Sequence, residues 1–316
     1  MADSRKIKND IIYALIKGLV FIIEKMPRDL ALKLAGVIGE MAAMLDVKER
    51  RLAEENLRRA YGDSWNELKI KLVARDCFAK MALNAADVIQ SRNWKAEDLR
   101  GLVDVEGMEH FDEALSWGKG LVAVTGHIGN FELMAAWFAA VKGISLSVIG
   151  RRLYDDRLDA LVVENRERFG MENIPSDAPA KKVLSTLKSG RVLGVLIDLD
   201  SSRIAGEFIP FFGIPARTPS GPIAIGRQSR SPAVPLAMFR TPDDRYLIRI
   251  LPIIEIPRTA DRDVDVTETL KRCNRALEQL IDYDPTQWPW IHNRWKSKPA
   301  DDESVGKGEA EEVGYR

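Results

Sequence analysis

Gly118-Lys119-Gly120-Leu121-Val122-Ala123-Val124-Thr125-Gly126-His127 reads as a short apolar strand bounded by glycines, and an apolar run of helical character follows at residues 131–141. A strand that hands over to a helix through a glycine-containing turn is the building unit of an α/β fold. Working outward, apolar runs recur at residues 144–149, 192–197, 233–239 and 246–256, separated by stretches of helical period at 180–188 and 266–281. Toward the N-terminus, residues 30–45, 49–61 and 65–90 alternate apolar and charged positions at helical spacing, so the first hundred residues are expected to be mostly helix. The pattern predicts an α/β fold with a mixed central sheet flanked by helices, preceded by an N-terminal helical segment.

That N-terminal segment carries its own signal. Residues 11–23, Ile-Ile-Tyr-Ala-Leu-Ile-Lys-Gly-Leu-Val-Phe-Ile-Ile, are apolar except for Lys17, with Arg5, Lys6 and Lys8 before them and Lys25 and Arg28 after. A helix of this length rises roughly 20 Å, short of the ~30 Å hydrocarbon core of a bilayer. No small-residue cleavage site follows it, and the flanking cations suit a helix held at an anionic leaflet rather than a removed signal. The expected division is a membrane-associating helix at 1–28, a catalytic domain at 29–299, and a polar tail at 300–316 too poor in apolar residues to fold. The alternative for the first helix is a core element packed on the body.

Bulk properties narrow the function classes. The chain has 316 residues, enough for a sizeable core, and its 47 basic and 47 acidic side chains cancel, which argues against a nucleic-acid binder that relies on bulk charge. Cys77 and Cys273 have no partner at metal or redox spacing, so the body is expected to face a reducing cytoplasm. His110 and His292 sit in no ligand-spaced cluster, which gives no reason to expect a metal site, and no Gly-x-Ser-x-Gly elbow supports serine chemistry.

The segment richest in chemistry is Thr125-Gly126-His127-Ile128-Gly129-Asn130-Phe131-Glu132. Inside one helix, five positions would turn Glu132 about 140° away from His127. Glycines at 126 and 129 let the chain turn, so that His127 lies in the loop and Glu132 in the first helical turn. There the carboxylate can accept a proton from one imidazole nitrogen and leave the other free as a general base, as attack by a hydroxyl group requires. The competing reading is a helix start, with Asn130 as N-cap and Glu132 favouring the positive helix end.

Three other segments stand out. Gly150-Arg151-Arg152 follows a strand-like run, and either arginine can serve phosphate or a developing oxyanion. Ile197-Asp198-Leu199-Asp200 ends another strand-like run, ahead of Pro210-Phe211-Phe212-Gly213. Trp288-Pro289-Trp290-Ile291-His292-Asn293-Arg294-Trp295-Lys296 mixes aromatics with cations, as a core plug or an interfacial belt would.

Taken in order, these blocks resemble the bacterial lipid A late acyltransferases, the lauroyl and myristoyl transferases of the lysophospholipid acyltransferase superfamily. The resemblance runs from about Asn56 to Pro299 through Asn56-Leu57, Gly107 with His110, the His127/Glu132 box, the arginine block, Asp198, Pro-Phe-Phe-Gly and the tryptophan block. It implies a membrane enzyme on the cytoplasmic face of the cell inner membrane, with no cofactor. The implied donor is an acyl carrier protein thioester, and the implied acceptor is a hydroxyl of a lipid A precursor. It also implies His127 and Glu132 as catalytic dyad, and Arg151 (or Arg152), Asp198 and Asn130 as substrate-binding residues. Leu199 stands where the family often has Gln, and Asp156-Arg157 where it often has Asn-Pro. These departures leave open a related mannoside acyltransferase that uses acyl-CoA; separately, a thioester hydrolase, in which water replaces the acceptor hydroxyl, would use the same His127/Glu132 pair.

Overall fold

The computed structural model describes residues 2–153, 155–201 and 204–299, with side chains at 9, 10 and from 12 onward. The polar tail at 300–316, Tyr154 and the side chains of Arg5, Lys6 and Lys8 lie outside the described residues. The N-terminal third is helical: α1 (Ala2–Lys25), α2 (Arg28–Leu45), α3 (Val47–Tyr61), α4 (Glu67–Gln90) and α5 (Ala96–Leu102). Strands and helices then alternate as β1 (Val103–Glu106), α6 (Met108–Ser116), β2 (Leu121–Thr125), α7 (Phe131–Ala140), β3 (Leu146–Gly150), α8 (Asp156–Arg168) and β4 (Glu172–Pro175). The remainder is α9 (Ala180–Lys188), β5 (Val192–Leu196), β6 (Gly206–Phe211), β7 (Ile214–Pro219), α10 (Gly221–Ser229), β8 (Ala233–Arg240), β9 (Tyr246–Ile250) and α11 (Arg262–Tyr283).

Seven strands form one sheet in the order β1-β9-β8-β2-β5-β3-β4, and only the β8–β9 pair is antiparallel. This is the expected mixed central sheet flanked by helices. Strand β2 lies at its centre between β8 and β5, and all five of its residues are buried, as a strand covered on both faces must be. Its period-2 alternation divides them: Val122 and Val124 join the core under α3, α4 and α11, while Leu121 and Ala123 join the core under α5, α6 and α7.

Helix α2 inverts the usual pattern. It buries small residues, Ala31, Ala35, Gly39 and Ala43, against α4, and a Cβ at Gly39 would stand 2.6 Å from Ala79 Cα. The large apolar side chains Leu30, Val37, Ile38, Met41, Met44 and Leu45 point outward, Leu45 with 76% of its surface exposed. At 100° per residue these six fall within about 120° of one another, opposite the buried stripe. On α1, Leu15, Leu19, Phe21 and Ile22 are exposed too, whereas Ile23 is buried. Among the described residues no helix is long and apolar enough to cross a membrane.

Local details differ from the sequence reading. The run at 246–256 stops being a strand at Ile250, because Pro252 cannot donate to a ladder; beyond it a single bridge joins Ala233 to Ile254. Strands β1 and β4 were not expected. Pro-Phe-Phe-Gly is the tip of a β6–β7 hairpin whose two turn residues, Phe212 (φ 50°) and Gly213 (φ 73°), both have positive φ, as a tight hairpin of this twist needs.

Candidate active site

The site begins where β2 ends. Gly129 has φ 56°, and a Cβ there would lie 1.8 Å from Met238 O, so no other residue fits without moving β8. The Gly129 N–H donates to Gln287 O at 2.7 Å and the Asn130 N–H to Met238 O at 3.0 Å, which pins the loop to β8 and the C-terminal segment. Asn130 caps α7, its Oδ1 accepting from the Leu133 N–H at 3.2 Å. Its Nδ2 donates to Asn84 O (3.2 Å) and to the Tyr246 hydroxyl (3.0 Å). With the side chain buried and every polar atom bonded within the protein, the substrate-contact reading of Asn130 gives way to a structural one.

Strands β2 and β5 are parallel neighbours with Thr125 opposite Leu196. Two residues beyond each of these come His127 and Asp198, which therefore emerge side by side at the carboxyl ends of the strands, where open α/β sheets place their sites. His127 Nδ1 lies 2.9 Å from Asp198 Oδ1, and Asp198 Oδ2 accepts from the His127 N–H (2.7 Å) and from Trp288 Nε1 (2.9 Å). Gly126 makes room for this: a Cβ there would meet Asp198 Oδ2 at 2.7 Å. The Asp198 side chain is completely buried against His127 and Trp288, so the structure does not present it for the direct substrate contact expected of it.

This geometry also corrects the expected imidazole partner. Glu132 is held in a two-pronged ion pair by Arg166 of α8, Nε to Oε2 at 3.0 Å and Nη2 to Oε1 at 2.5 Å, while Nη1 of the same arginine donates to Asn173 Oδ1 at 2.6 Å. Being one residue into α7, Glu132 faces α8, whereas strand register delivers Asp198 to Nδ1. Glu132 acts on His127 through its charge. Burial alone would lower the His127 pKa, but Asp198, with Glu132 behind it, outweighs that and raises it above the ordinary histidine value. Asp198 shifts the other way: its burial opposes ionisation, yet His127 and the Trp288 indole hold it well below the usual carboxylate range.

An ionised Asp198 accepts the Nδ1 proton and leaves Nε2 as the basic nitrogen of His127. The His127 ring packs at a steep angle against Phe131 and His292, each with ring centroids 5.0 Å away. Burial and the charge of His127 push His292 down to about 4, so it stays neutral beside its neighbour. Trp288 and Trp290 are fully buried and Trp295 nearly so; the tryptophan block is a core plug, and one of its indoles fixes Asp198. Asn56 ties α3 to it by donating to Trp290 O and His292 O, at 2.8 and 2.9 Å.

Next to Phe131 and Glu132 an apolar cleft runs between the sheet and helices α6 and α7, enclosing about 570 Å³ when the open solvent at its mouth is counted in. Glu132 and Arg166 are its charged residues; Ala123, Val148, Gly194, Met134 and Phe138 are among the apolar ones. On β5 the cavity-facing position between Val192 and Leu196 is Gly194, and a Cβ there would come within 3.3 Å of Val148 Cγ1. Arg151 and Arg152 are exposed on the segment that leaves β3. The arginine that meets Glu132 is Arg166, whose guanidinium lies 2.6 Å from where a Gly150 Cβ would be. Arg166, Trp288 and His292 were not anticipated at the site, and their places depend on contacts between distant segments.

The sequence profile described as bacterial lipid A biosynthesis acyltransferase matches residues 3–297. The chain belongs to this family. It is therefore an acyltransferase, and the His127–Asp198 pair lies within the matched region. Among curated relatives of this acyltransferase is the lipid A biosynthesis lauroyltransferase of Escherichia coli (strain K12), 23% identical over 286 residues that cover 89% of this chain and 90% of that protein. The palmitoleoyltransferase of the same strain is 23% identical over 297 residues, covering 91% and 92%. A phosphatidylinositol mannoside acyltransferase from Mycobacterium tuberculosis (strain ATCC 25618 / H37Rv) is 30% identical over 135 residues, 42% of each chain.

Proposed function

We propose that this acyltransferase moves a fatty acyl group from an acyl carrier protein thioester to a hydroxyl of a lipid A precursor or related glycolipid, with His127 as general base. The observation that carries the reading is the His127–Asp198 hydrogen bond, which leaves Nε2 basic close to an apolar cavity. The acceptor hydroxyl gives its proton to Nε2 as its oxygen attacks the thioester carbonyl. Asp198 fixes the tautomer and stabilises the imidazolium. Collapse of the tetrahedral intermediate breaks the carbon–sulfur bond, and the imidazolium returns its proton to the departing thiolate.

The acyl chain occupies the cavity, with Glu132 and Arg166 beside the carbonyl. Glu132 keeps a place in catalysis as the carboxylate that both raises the His127 pKa and holds Arg166. Arg151 and Arg152 meet phosphate on the glycolipid or the carrier's prosthetic arm. The exposed apolar stripes of α1 and α2, with Lys17, Lys25 and Lys33 beside them, lie in the surface of an anionic membrane on its cytoplasmic face, the cell inner membrane in a two-membrane envelope.

The partial identity to a phosphatidylinositol mannoside acyltransferase favours one second reading, transfer from acyl-CoA to a mannoside. Lipid mass spectrometry of a strain lacking the gene separates them. Lipid A short of one acyl chain is the expected result, acylated mannosides short of one chain support the second reading, and an unchanged envelope overturns both.

A further inference from the structure

We propose that Tyr246 is a positioning residue for acyl transfer: its hydroxyl, aimed by Asp87, holds the Asn130 amide and through it the loop that carries His127. The inference rests on the His127 reading above. Tyr246, Asp87, Arg240, Asn84 and Asn130 form a buried polar cluster behind the site. Asp87 Oδ2 accepts from the Tyr246 hydroxyl at 2.7 Å and from Arg240 Nη2 at 2.7 Å, and Arg28, at the start of α2, donates Nε to Oδ1 at 2.9 Å and Nη2 to Oδ2 at 2.8 Å.

The bonding has one consistent direction. A phenol has one proton to give, and burial beside Asp87 raises its pKa, so it keeps that proton. The carboxylate can only accept, so the proton points to Asp87. The phenol oxygen then faces Asn130 as an acceptor and takes Nδ2 at 3.0 Å, while Arg240 Nη2 donates to it at 2.5 Å. This selects one of the two orientations of the Asn130 amide, the one that turns Oδ1 to the Leu133 N–H and caps α7. His127 lies three residues before that cap; its own N–H and Nδ1 are bonded to Asp198, and the Gly129 and Asn130 N–H groups tie the loop to the C-terminal segment and β8. Tyr246 and Asn84 are thus the only described partners of the Asn130 side chain on β9 and α4.

The test is a double-mutant cycle of Tyr246→Phe and Asn130→Ser, with dodecanoyl-acyl carrier protein and a lipid A precursor as substrates and thermal melts to count folded protein. Serine keeps an N-cap oxygen but has no amide donor. Each single variant is expected to lose about tenfold in kcat, one hydrogen bond's worth of rate, with KM for the thioester within about twofold. The double variant should be no slower than the slower single one, because both act through one bond. Unchanged kcat per folded molecule, with only the melting temperature lowered, overturns the proposal, and so do losses that multiply. If Tyr246→Phe does not fold, Asn130→Ser decides alone by its kcat. His127→Ala in the same assay separates the two levels: an inactive His127 variant beside fully active Tyr246 and Asn130 variants refutes positioning alone, whereas an active one removes the His127 reading and this inference together.

Discussion

Replacing Asp198 with Asn exchanges one carboxylate oxygen for an NH2 group, and the surrounding donors dictate which way the new amide turns. Oδ2 of Asp198 accepts from two fixed donors, the His127 N–H at 2.7 Å and Trp288 Nε1 at 2.9 Å. The introduced amide must turn its oxygen to that pair, since an NH2 group there would face two donors at hydrogen-bond distance in a buried site. The NH2 group is then left 2.9 Å from His127 Nδ1, which must become the acceptor. The proton moves to Nε2, the nitrogen that acts as base in the proposed mechanism. The same wrong-tautomer effect in serine proteases costs about 10⁴-fold in kcat, or about 5.5 kcal/mol of transition-state stabilisation. Loss of Asp198's charge also removes the main influence that raises the His127 pKa, leaving only Glu132, so its titration should move to lower pH. The assay is transfer of labelled dodecanoyl from its carrier protein, with nitrogen-15 NMR of the imidazole to read the tautomer. Turnover should fall about 10³- to 10⁴-fold with Nε2 protonated. Turnover within about tenfold of wild type in a folded Asp198→Asn protein, or an unchanged Nδ1–H tautomer, would rule out Asp198 as the residue that sets the His127 tautomer.

Three further outcomes are expected. Glu132→Gln and Arg166→Met should each lower turnover by about tenfold or more, and their double variant should lose no more than the worse single, because they share one ion pair; Glu132→Gln should also shift the acid limb of kcat/KM to lower pH, since its charge helps to raise the His127 pKa and the neutral imidazole is the active form. Gly194→Val fills the cavity beside Val148, and competition between thioesters should show shorter acyl chains gaining about fourfold in relative kcat/KM for each methylene that no longer fits. Met41→Glu and Leu45→Glu, at exposed positions of α2, should leave the melting temperature unchanged while lowering sedimentation with anionic vesicles by about tenfold or more. The anchor is better tested this way than by deleting residues 1–28, because Gln90 bonds to Ile23 O and Met26 O and Arg28 to Asp87.

Much of this molecule was readable from the order of its residues. The passage from Gly118 to Ala140 declares strand, turn and helix because its apolar period changes across glycines that only a turn uses. Strand β1 escaped notice because Asp104 and Glu106 break its apolar run, which an edge strand tolerates, and β4 for a similar reason, ending in Pro175 at the other edge. The hairpin tip at Phe212-Gly213 carries a phenylalanine where asparagine or aspartate would have announced the turn. At the site, His127 stood out by its loop, but its partner depends on the register of β2 against β5, which spacing along the chain does not encode. Glu132 was the nearest carboxylate in sequence and Asp198 the nearest in space. Their positions two residues past facing strand ends were the signal that could have paired His127 with Asp198, once those strands were known to be neighbours.

The most direct test of His127 as the base is single-turnover transfer by His127→Ala, with dodecanoyl-acyl carrier protein and a lipid A precursor, product mass read by spectrometry. The wild-type protein should add one dodecanoyl group to the acceptor, and the folded variant should do so at least about 10²-fold more slowly while still binding the thioester. Transfer at an undiminished rate by the folded variant would contradict the account.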